Sequence, residues 1–246
     1  MSEVSVRFLG SGDAFGDGGR FQACLQLRGA GADVLVDCGV SSLVAMKQAG
    51  VDPSAIGFVL LTHLHGDHFG GLPFLILDGQ FSRRELPLVI AGPAGTGERL
   101  DRTMEVLFPG SSSVRRRFAV EVVELAPGET SVVGPARVLP FEVVHESGAP
   151  SLGLRVGYGG RVVAFSGDTE WTDVLVELSR GADLFVCEAY TFDKAVPFHL
   201  SYRNLEHERA RLEVRRLVLT HPGPELLANL DRVSDEVAED GMVVEL

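Results

Sequence analysis

The stretch Thr62-His63-Leu64-His65-Gly66-Asp67-His68-Phe69-Gly70-Gly71 constrains this chain more than any other, because it sets four metal-type ligands within six residues. Ahead of it, Phe58-Val59-Leu60-Leu61 is an apolar run of strand length, and behind it Leu72-Pro73-Phe74-Leu75-Ile76-Leu77 opens a helix with proline in its first turn. The ligands are therefore expected on a strand-to-helix turn. While the backbone is extended, residues two apart point the same way, so His63 and His65 can close on one metal ion. Gly66 is expected to turn the chain sharply, so that Asp67 and His68 face another side of the cavity, where a second ion can sit. Mixed imidazole and carboxylate ligands suit zinc first, then manganese or iron. With only 7 histidines in the chain, such a pattern arises by chance in roughly 3 of 10,000 sequences.

Around this turn the chain reads as strands alternating with helices. From Val4 to Leu27 two short runs flank a glycine-rich loop, Gly10 to Gly19, and a third run from Asp33 ends at Asp37. The loop lacks the Lys-Ser/Thr of a phosphate-binding P-loop, which favours a turn lining the site. Ser41 to Gln48 has helical spacing with a serine cap, Gly97 to Leu107 reads as a helix, and Phe118–Leu125, Ser131–Val133 and Arg137–Val144 read as strands. Leu152–Val156 and Arg161–Phe165 pair across a glycine-rich turn, Trp171–Ser179 reads as a helix, and Leu184–Glu188 as a buried strand ending in an acid. Asn204–Arg211 is a polar helix and Leu217–Thr220 a strand; one helix and a final strand are expected after them. Asp37, Thr62, Ser166, Thr169 and Glu188 are polar groups at strand ends, where they can orient ligands. His207, between two glutamates on a polar helix, reads as surface.

Taken in order, Val6-Arg7-Phe8-Leu9-Gly10-Ser11-Gly12, Leu35-Val36-Asp37-Cys38-Gly39, the histidine turn, Phe165-Ser166-Gly167-Asp168-Thr169 and Leu219-Thr220-His221 resemble the landmarks of the metallo-β-lactamase superfamily, in its ribonuclease Z-like phosphodiesterase branch. The resemblance spans nearly the whole chain. It implies an α+β fold, the αββα four-layer sandwich, as one domain over 1–246. It also implies seven ligands for two divalent ions: His63, His65 and His145 on one, Asp67, His68 and His221 on the other, and Asp168 bridging. Two such cations, zinc foremost, would activate a water as nucleophile. Asp67 and His199 are the residues expected to act in catalysis, His199 matching the extra histidine that assists the leaving group in this branch.

Ribonuclease Z carries a long arm for transfer RNA, yet here only a short hairpin lies between His145 and Asp168. The formal charge is −12, with 22 basic against 34 acidic residues, which disfavours a nucleic-acid polymer. Val114-Arg115-Arg116-Arg117-Phe118 is the one dense basic run and reads as solvated surface. The expected substrate is a small or cyclic phosphodiester, with thioester or lactone hydrolysis, or RNA cleavage without the usual exosite, as alternatives. Three widely spaced cysteines, Cys24, Cys38 and Cys187, suit buried thiols in a reducing compartment. No basic-then-apolar signal segment or membrane-length apolar run is present, so the expected location is the cytoplasm and no membrane partner is expected; a homodimer is left open.

Overall fold

The structure is a computed structural model that describes residues 4–29 and 31–246. One sheet contains β1 (Ser5–Gly10), β2 (Cys24–Arg28), β3 (Val34–Val36), β4 (Phe58–Leu60), β5 (Leu88–Gly92) and β6 (Val120–Glu124). The other contains β7 (Ser131–Val133), β8 (Ala136–Glu142), β9 (Leu152–Tyr158), β10 (Arg161–Phe165), β11 (Leu184–Glu188), β12 (Leu217–Thr220) and β13 (Glu236–Val237). The last strand, β14 (Val243–Glu245), returns to pair with β1, which gives each sheet seven strands. In both sheets an antiparallel meander gives way to parallel strands, β3 to β6 in the first and β10 to β13 in the second.

Residue alternation explains the layering. Val34 and Val36 pack between the sheets while Leu35 packs outward; Val163 and Phe165 face inward while Ala164 faces out; Val186 faces inward and Phe185 and Cys187 out. These strands are apolar on both faces because both are covered, so they read as continuous apolar runs. The outer face of the first sheet is covered by α1 (Ser42–Gln48), α3 (Leu72–Phe81) and α4 (Thr96–Leu107) through Met46, Leu75 and Leu100, with the single-turn α2 (Gly66–Phe69) preceding α3. The second sheet is covered by α5 (Val174–Ser179) and α6 (Tyr202–Glu208) through Leu175, Leu178 and Leu205. This is the helix-sheet-sheet-helix sandwich that the family resemblance implied.

Several local expectations are corrected. Ser41 does not cap α1 with its side chain; its hydroxyl accepts the Gln22 N–H at 2.8 Å and ties the helix start to the glycine-rich loop. The helix expected from Trp171 begins only at Val174. The C-terminal region holds only the four-residue α7 (Pro224–Leu227) and a further short turn of helix before β13, because hydrogen bonds there close single turns that no apolar stripe extends. Gly66 keeps a negative φ and starts α2 directly; the sharp turn comes from His65, extended at φ −74° and ψ 155°, followed at once by helix.

Glycine matters instead where two backbones meet. A Cβ at Gly39 would lie 2.2 Å from the Asp67 carbonyl oxygen, and one at Gly71 would lie 2.2 Å from that of Gly39. This contact lets the Cys38 N–H reach the His68 carbonyl at 2.6 Å and the Gly71 N–H reach the Cys38 carbonyl at 2.8 Å, which fastens the histidine turn to the end of β3. Cys24, Cys38 and Cys187 are buried and free, and burial pushes the Cys24 thiol up to about 12. Among the described residues no helix is long and apolar enough to cross a membrane.

Leu60 is fully buried between the sheets, whereas Val132 on the edge strand β7 is 74% exposed. Leu60→Ala should cost about 2–5 kcal/mol in chemical denaturation, and Val132→Ala about 0.5 kcal/mol or less. Equal losses at the two positions would contradict this placement of the core.

Candidate metal centre

The polar residues singled out in the sequence collect at one edge of the sandwich, just past the ends of β3, β4, β8, β10, β11 and β12. Asp37 follows β3, Thr62 to His68 follow β4, His145 follows β8, Asp168 follows β10, Glu188 ends β11 and His221 follows β12. Parallel strands in both sheets deliver their carboxyl ends to this edge, the usual place for a site in such sheets.

Two ligand sets result. His63, His65 and His145 bring ring nitrogens within 4.8 Å of one another, and Asp67, His68, Asp168 and His221 bring one ligand atom each within the same limit. Asp168 stands between them: one carboxylate oxygen lies 3.2 Å from His68 Nε2, and the other lies 3.4 Å from His221 Nε2, 3.8 Å from His63 Nε2 and 3.9 Å from His145 Nε2. Asp67 Oδ2 is 3.3 Å from His68 Nε2 and 3.2 Å from His221 Nε2. All seven residues expected as ligands are thus brought together.

Outer hydrogen bonds decide which imidazole nitrogen faces inward. Asp37 accepts the Thr62 N–H and Thr62 hydroxyl, both at 2.8 Å. The Thr62 oxygen can then accept only from His63 Nδ1–H, at 3.1 Å, which leaves the His63 Nε2 lone pair for the centre. Asp37 also accepts His68 Nδ1–H at 2.7 Å, and the Phe198 carbonyl accepts His145 Nδ1–H at 2.9 Å. His63 Nε2 is buried with no hydrogen-bond partner, His68 Nε2 is buried against carboxylate oxygens of Asp168 and Asp67 at 3.2 and 3.3 Å, and His145 Nε2 meets His65 Nδ1 at 3.0 Å. A buried polar atom without a partner costs about 1–3 kcal/mol. Convergent lone pairs with two carboxylates among them are what a divalent cation would satisfy, so the residues fit a metal centre.

A third grouping, Asp168, Glu188, His199 and His221, is also compact, but Glu188 is already committed. One of its oxygens makes a very short hydrogen bond with His199 Nδ1, and the other accepts the N–H of Thr169 at 2.8 Å and of Leu200 at 3.2 Å. Glu188 therefore fastens the Asp168 loop to the His199 loop. Thr169 in turn accepts the Val144 N–H at 3.1 Å and sets the backbone ahead of His145, while Ser166 accepts the Glu188 N–H at 2.8 Å. His207 is exposed on α6, as expected.

The charge pattern follows. Burial disfavours the charged form of His68, yet Asp168, Asp67 and Asp37 outweigh it and hold its pKa well above the ordinary histidine value. His221 behaves alike, burial being overridden by Asp168 and Asp67, and is raised to about 9. Burial opposes ionisation of Asp67 and Asp168, but His68 and His221 lower both. His63, by contrast, is driven well below its usual value by burial and by the neighbouring His68 charge.

Three site residues carry the left-handed backbone that non-glycine residues seldom adopt: Asp37 at φ 61°, Phe198 at 67° and His221 at 61°. Among the described non-glycine residues only Arg83 shares it outside the site. Each conformation costs on the order of 1–2 kcal/mol, offset by the hydrogen bonds made there, including the His221 N–H to the Ser11 carbonyl at 2.9 Å. The sequence pattern missed Phe198, which acts through its carbonyl, and Tyr190, whose ring centroid lies 4.9 Å from that of His199. A signal existed only for Tyr190, an aromatic residue two places beyond the acid that ends β11.

A family model described as a β-lactamase superfamily domain matches residues 33–222, and the chain belongs to that superfamily, with the metallo-β-lactamase fold. The ribonuclease Z of Mycobacterium avium (strain 104) is 32% identical over 251 residues, covering 92% of this chain and 88% of that protein. The crystal structure of human tRNase Z, short form, superposes with a TM-score of 0.80 at 28% identity and covers 98% of both chains. A diphosphatase from the PhnP family shares the fold, at a TM-score of 0.76 and 20% identity over 99% of this chain and 97% of that one. Within the superfamily the chain falls in the ribonuclease Z-like and small-phosphodiesterase branch, and it is a metal-dependent hydrolase.

A pKa raised in the folded state means that the protonated pairs stabilise the metal-free protein fully below the unfolded value, about 6.5. For His221 this contribution fades as pH rises through about 9. Metal uptake must expel these protons. Zinc titration near pH 7.5 should release about two protons, one each from His68 and His221, read by calorimetry in buffers of different ionisation enthalpy. Affinity should fall as pH is lowered toward 6. Uptake without proton release would contradict the assigned charges.

Proposed function

We propose that this chain is a two-metal phosphodiesterase for small or cyclic phosphodiesters. His63, His65 and His145 are assigned to one ion, Asp67, His68 and His221 to the other, and Asp168 to both, with zinc the ion best suited to this donor set. Bound there, two divalent cations supply Lewis-acid charge and an activated water at neutral pH. Asp67 is assigned a double part, holding an ion and orienting His221.

The observation that carries this reading is His199. It forms the wall of a pocket of about 190 Å³ whose other lining includes His65, Asp67, Asp168 and His221. Its Nδ1 is tied to the fully buried Glu188, so Nε2 is the nitrogen left for a substrate. Burial and Asp168 raise the Glu188 pKa well above the carboxylate range, and burial lowers that of His199. The Glu188 carboxyl engages Nδ1, so the nitrogen that His199 turns to the pocket is Nε2. From there an Nε2–H can donate to a phosphoryl oxygen or to the departing alkoxide, while Glu188 holds the ring through Nδ1. Thioester hydrolysis has less need of such a donor, because a thiolate leaves without a proton and the acyl oxyanion can sit against the cations.

Likeness to ribonuclease Z supports a second reading, cleavage of an RNA precursor. Against it, the connection from β8 to β9 runs only from Val143 to Ser151 and forms no arm. The run at Arg115 to Arg117 does not line the pocket, and the net charge of −12 opposes a polyanion. Zinc- or manganese-loaded protein should hydrolyse bis(p-nitrophenyl) phosphate, and His199→Ala should lower kcat by about 10²-fold or more while metal content is retained. Unchanged diesterase turnover in that variant, with a lactone or thioester cleaved far faster, would overturn the phosphodiesterase reading. Cleavage of a transfer-RNA precursor in preference to small diesters would overturn the small-substrate reading.

A further inference from the structure

The glycine-rich loop between β1 and β2 presents one side chain that the chemistry above does not use. Phe15 is 82% exposed, yet its backbone is pinned. The buried Asp13 carboxylate accepts the Phe15 N–H at 3.3 Å and the Asp17 N–H at 3.0 Å, and the Gln22 side-chain amide donates to the Ala14 carbonyl at 2.9 Å. The same loop is joined to the centre through the Ser11 carbonyl, which accepts the His221 N–H at 2.9 Å. Covering the ring therefore orders only its side-chain torsions, the backbone being ordered already.

Phe15 shares its pocket with a second ring. Phe15 and Ala14 line the same cavity as Tyr190, Val196 and His199, with the carboxylates of Asp67 and Asp168 also in its lining. Tyr190 is fixed as firmly: its N–H donates to the Leu200 carbonyl at 2.9 Å and its carbonyl accepts the Gly223 N–H at 2.9 Å. Its ring lies so close over Gly223 that a Cβ there would approach to 2.5 Å. The Tyr190 ring centroid is 4.9 Å from that of His199 and 6.1 Å from that of His221, so the aromatic surface runs directly into the catalytic cluster. The pocket, of about 190 Å³, thus joins the Asp67 and Asp168 carboxylates and the Phe15 and Tyr190 rings in one lining.

We propose that Phe15 and Tyr190 form an aromatic clamp for the nucleobase of a small nucleotide-type phosphodiester whose phosphate sits at the metal centre. The inference rests on the phosphodiesterase reading and narrows its substrate class. Stacking on aromatic side chains is available to every base, because each has a π-face, so the clamp selects for a base without selecting which one. It also explains why the loop holds a phenylalanine in water beside a polar centre: the ring is covered when substrate is bound.

The test compares adenosine 5′-monophosphate with ribose 5-phosphate, which keeps the sugar and phosphate and lacks the base. Both are titrated calorimetrically into metal-loaded protein. The nucleotide should bind roughly tenfold or more tightly than the sugar phosphate. Phe15→Ala and Tyr190→Leu should each shrink that gap, Phe15→Tyr should restore it, and the sugar phosphate should change little in all three. Equal affinities in the unmodified protein, no binding of either probe, or a gap that survives both Phe15→Ala and Tyr190→Leu would overturn the clamp. Affinity is read here without turnover. Base-dependent binding in a protein without diesterase activity would overturn the proposed reaction alone, and diesterase activity without base-dependent binding would overturn the clamp alone.

Discussion

The structure depends on one constraint: the outer nitrogens of three imidazoles are already spoken for. Thr62 holds His63, Asp37 holds His68 and the Phe198 carbonyl holds His145, each at Nδ1. A neutral imidazole offers one donor and one acceptor, so fixing the donor outside fixes the lone pair inside. In the metal-free protein His63 thus turns a lone pair inward, while His68 and His221 hold protons against Asp67 and Asp168 that an entering cation displaces. The ion pairs steady the metal-free cluster, and cations replace their protons while meeting the lone pair of His63 that no protein donor reaches.

The fold exists, in functional terms, to hold those outer partners still. Asp37 is carried by β3, Thr62 by β4 and Glu188 by β11, strands whose flanking residues are buried on both faces. Close packing of Gly39 against the Asp67 carbonyl sets the height of the histidine turn, and the left-handed backbone at Asp37, Phe198 and His221 aims the last groups inward. Small backbone strain is thereby exchanged for side-chain order at the place where chemistry needs it. Glu188 extends the same logic to His199, because one buried carboxylate joins the loop bearing Asp168 to the loop bearing His199.

Much of this was legible in the sequence, and for definable reasons. The ligand turn could be read because His63, His65, Asp67 and His68 are contiguous and follow an apolar strand. Alternating strands and helices suited two packed sheets with helices outside, but the αββα sandwich itself was implied by the family landmarks, since periodicity alone does not specify it. Asp37, Thr62, Ser166, Thr169 and Glu188 could be suspected as orienting groups because each ends a strand. What escaped was nonlocal or carried by backbone. Nothing in the residue type of Phe198 announces that its carbonyl receives His145, and no local pattern marks the positive φ of Asp37 or His221. Trp171 to Asp173 stay outside α5 although they suit a helix. Phe15, in a loop whose glycines suggest only flexibility, is held by a buried aspartate whose partners appear only in three dimensions.

The central claim is that lone pairs oriented from outside create two adjoining cation sites with Asp168 common to both. The most direct measurement is anomalous diffraction at the zinc edge from crystals of zinc-replete protein. The account predicts two peaks, one among His63, His65 and His145 and one among Asp67, His68 and His221, with the Asp168 carboxylate touching both. A single peak, or two peaks with Asp168 turned away from them, would contradict it.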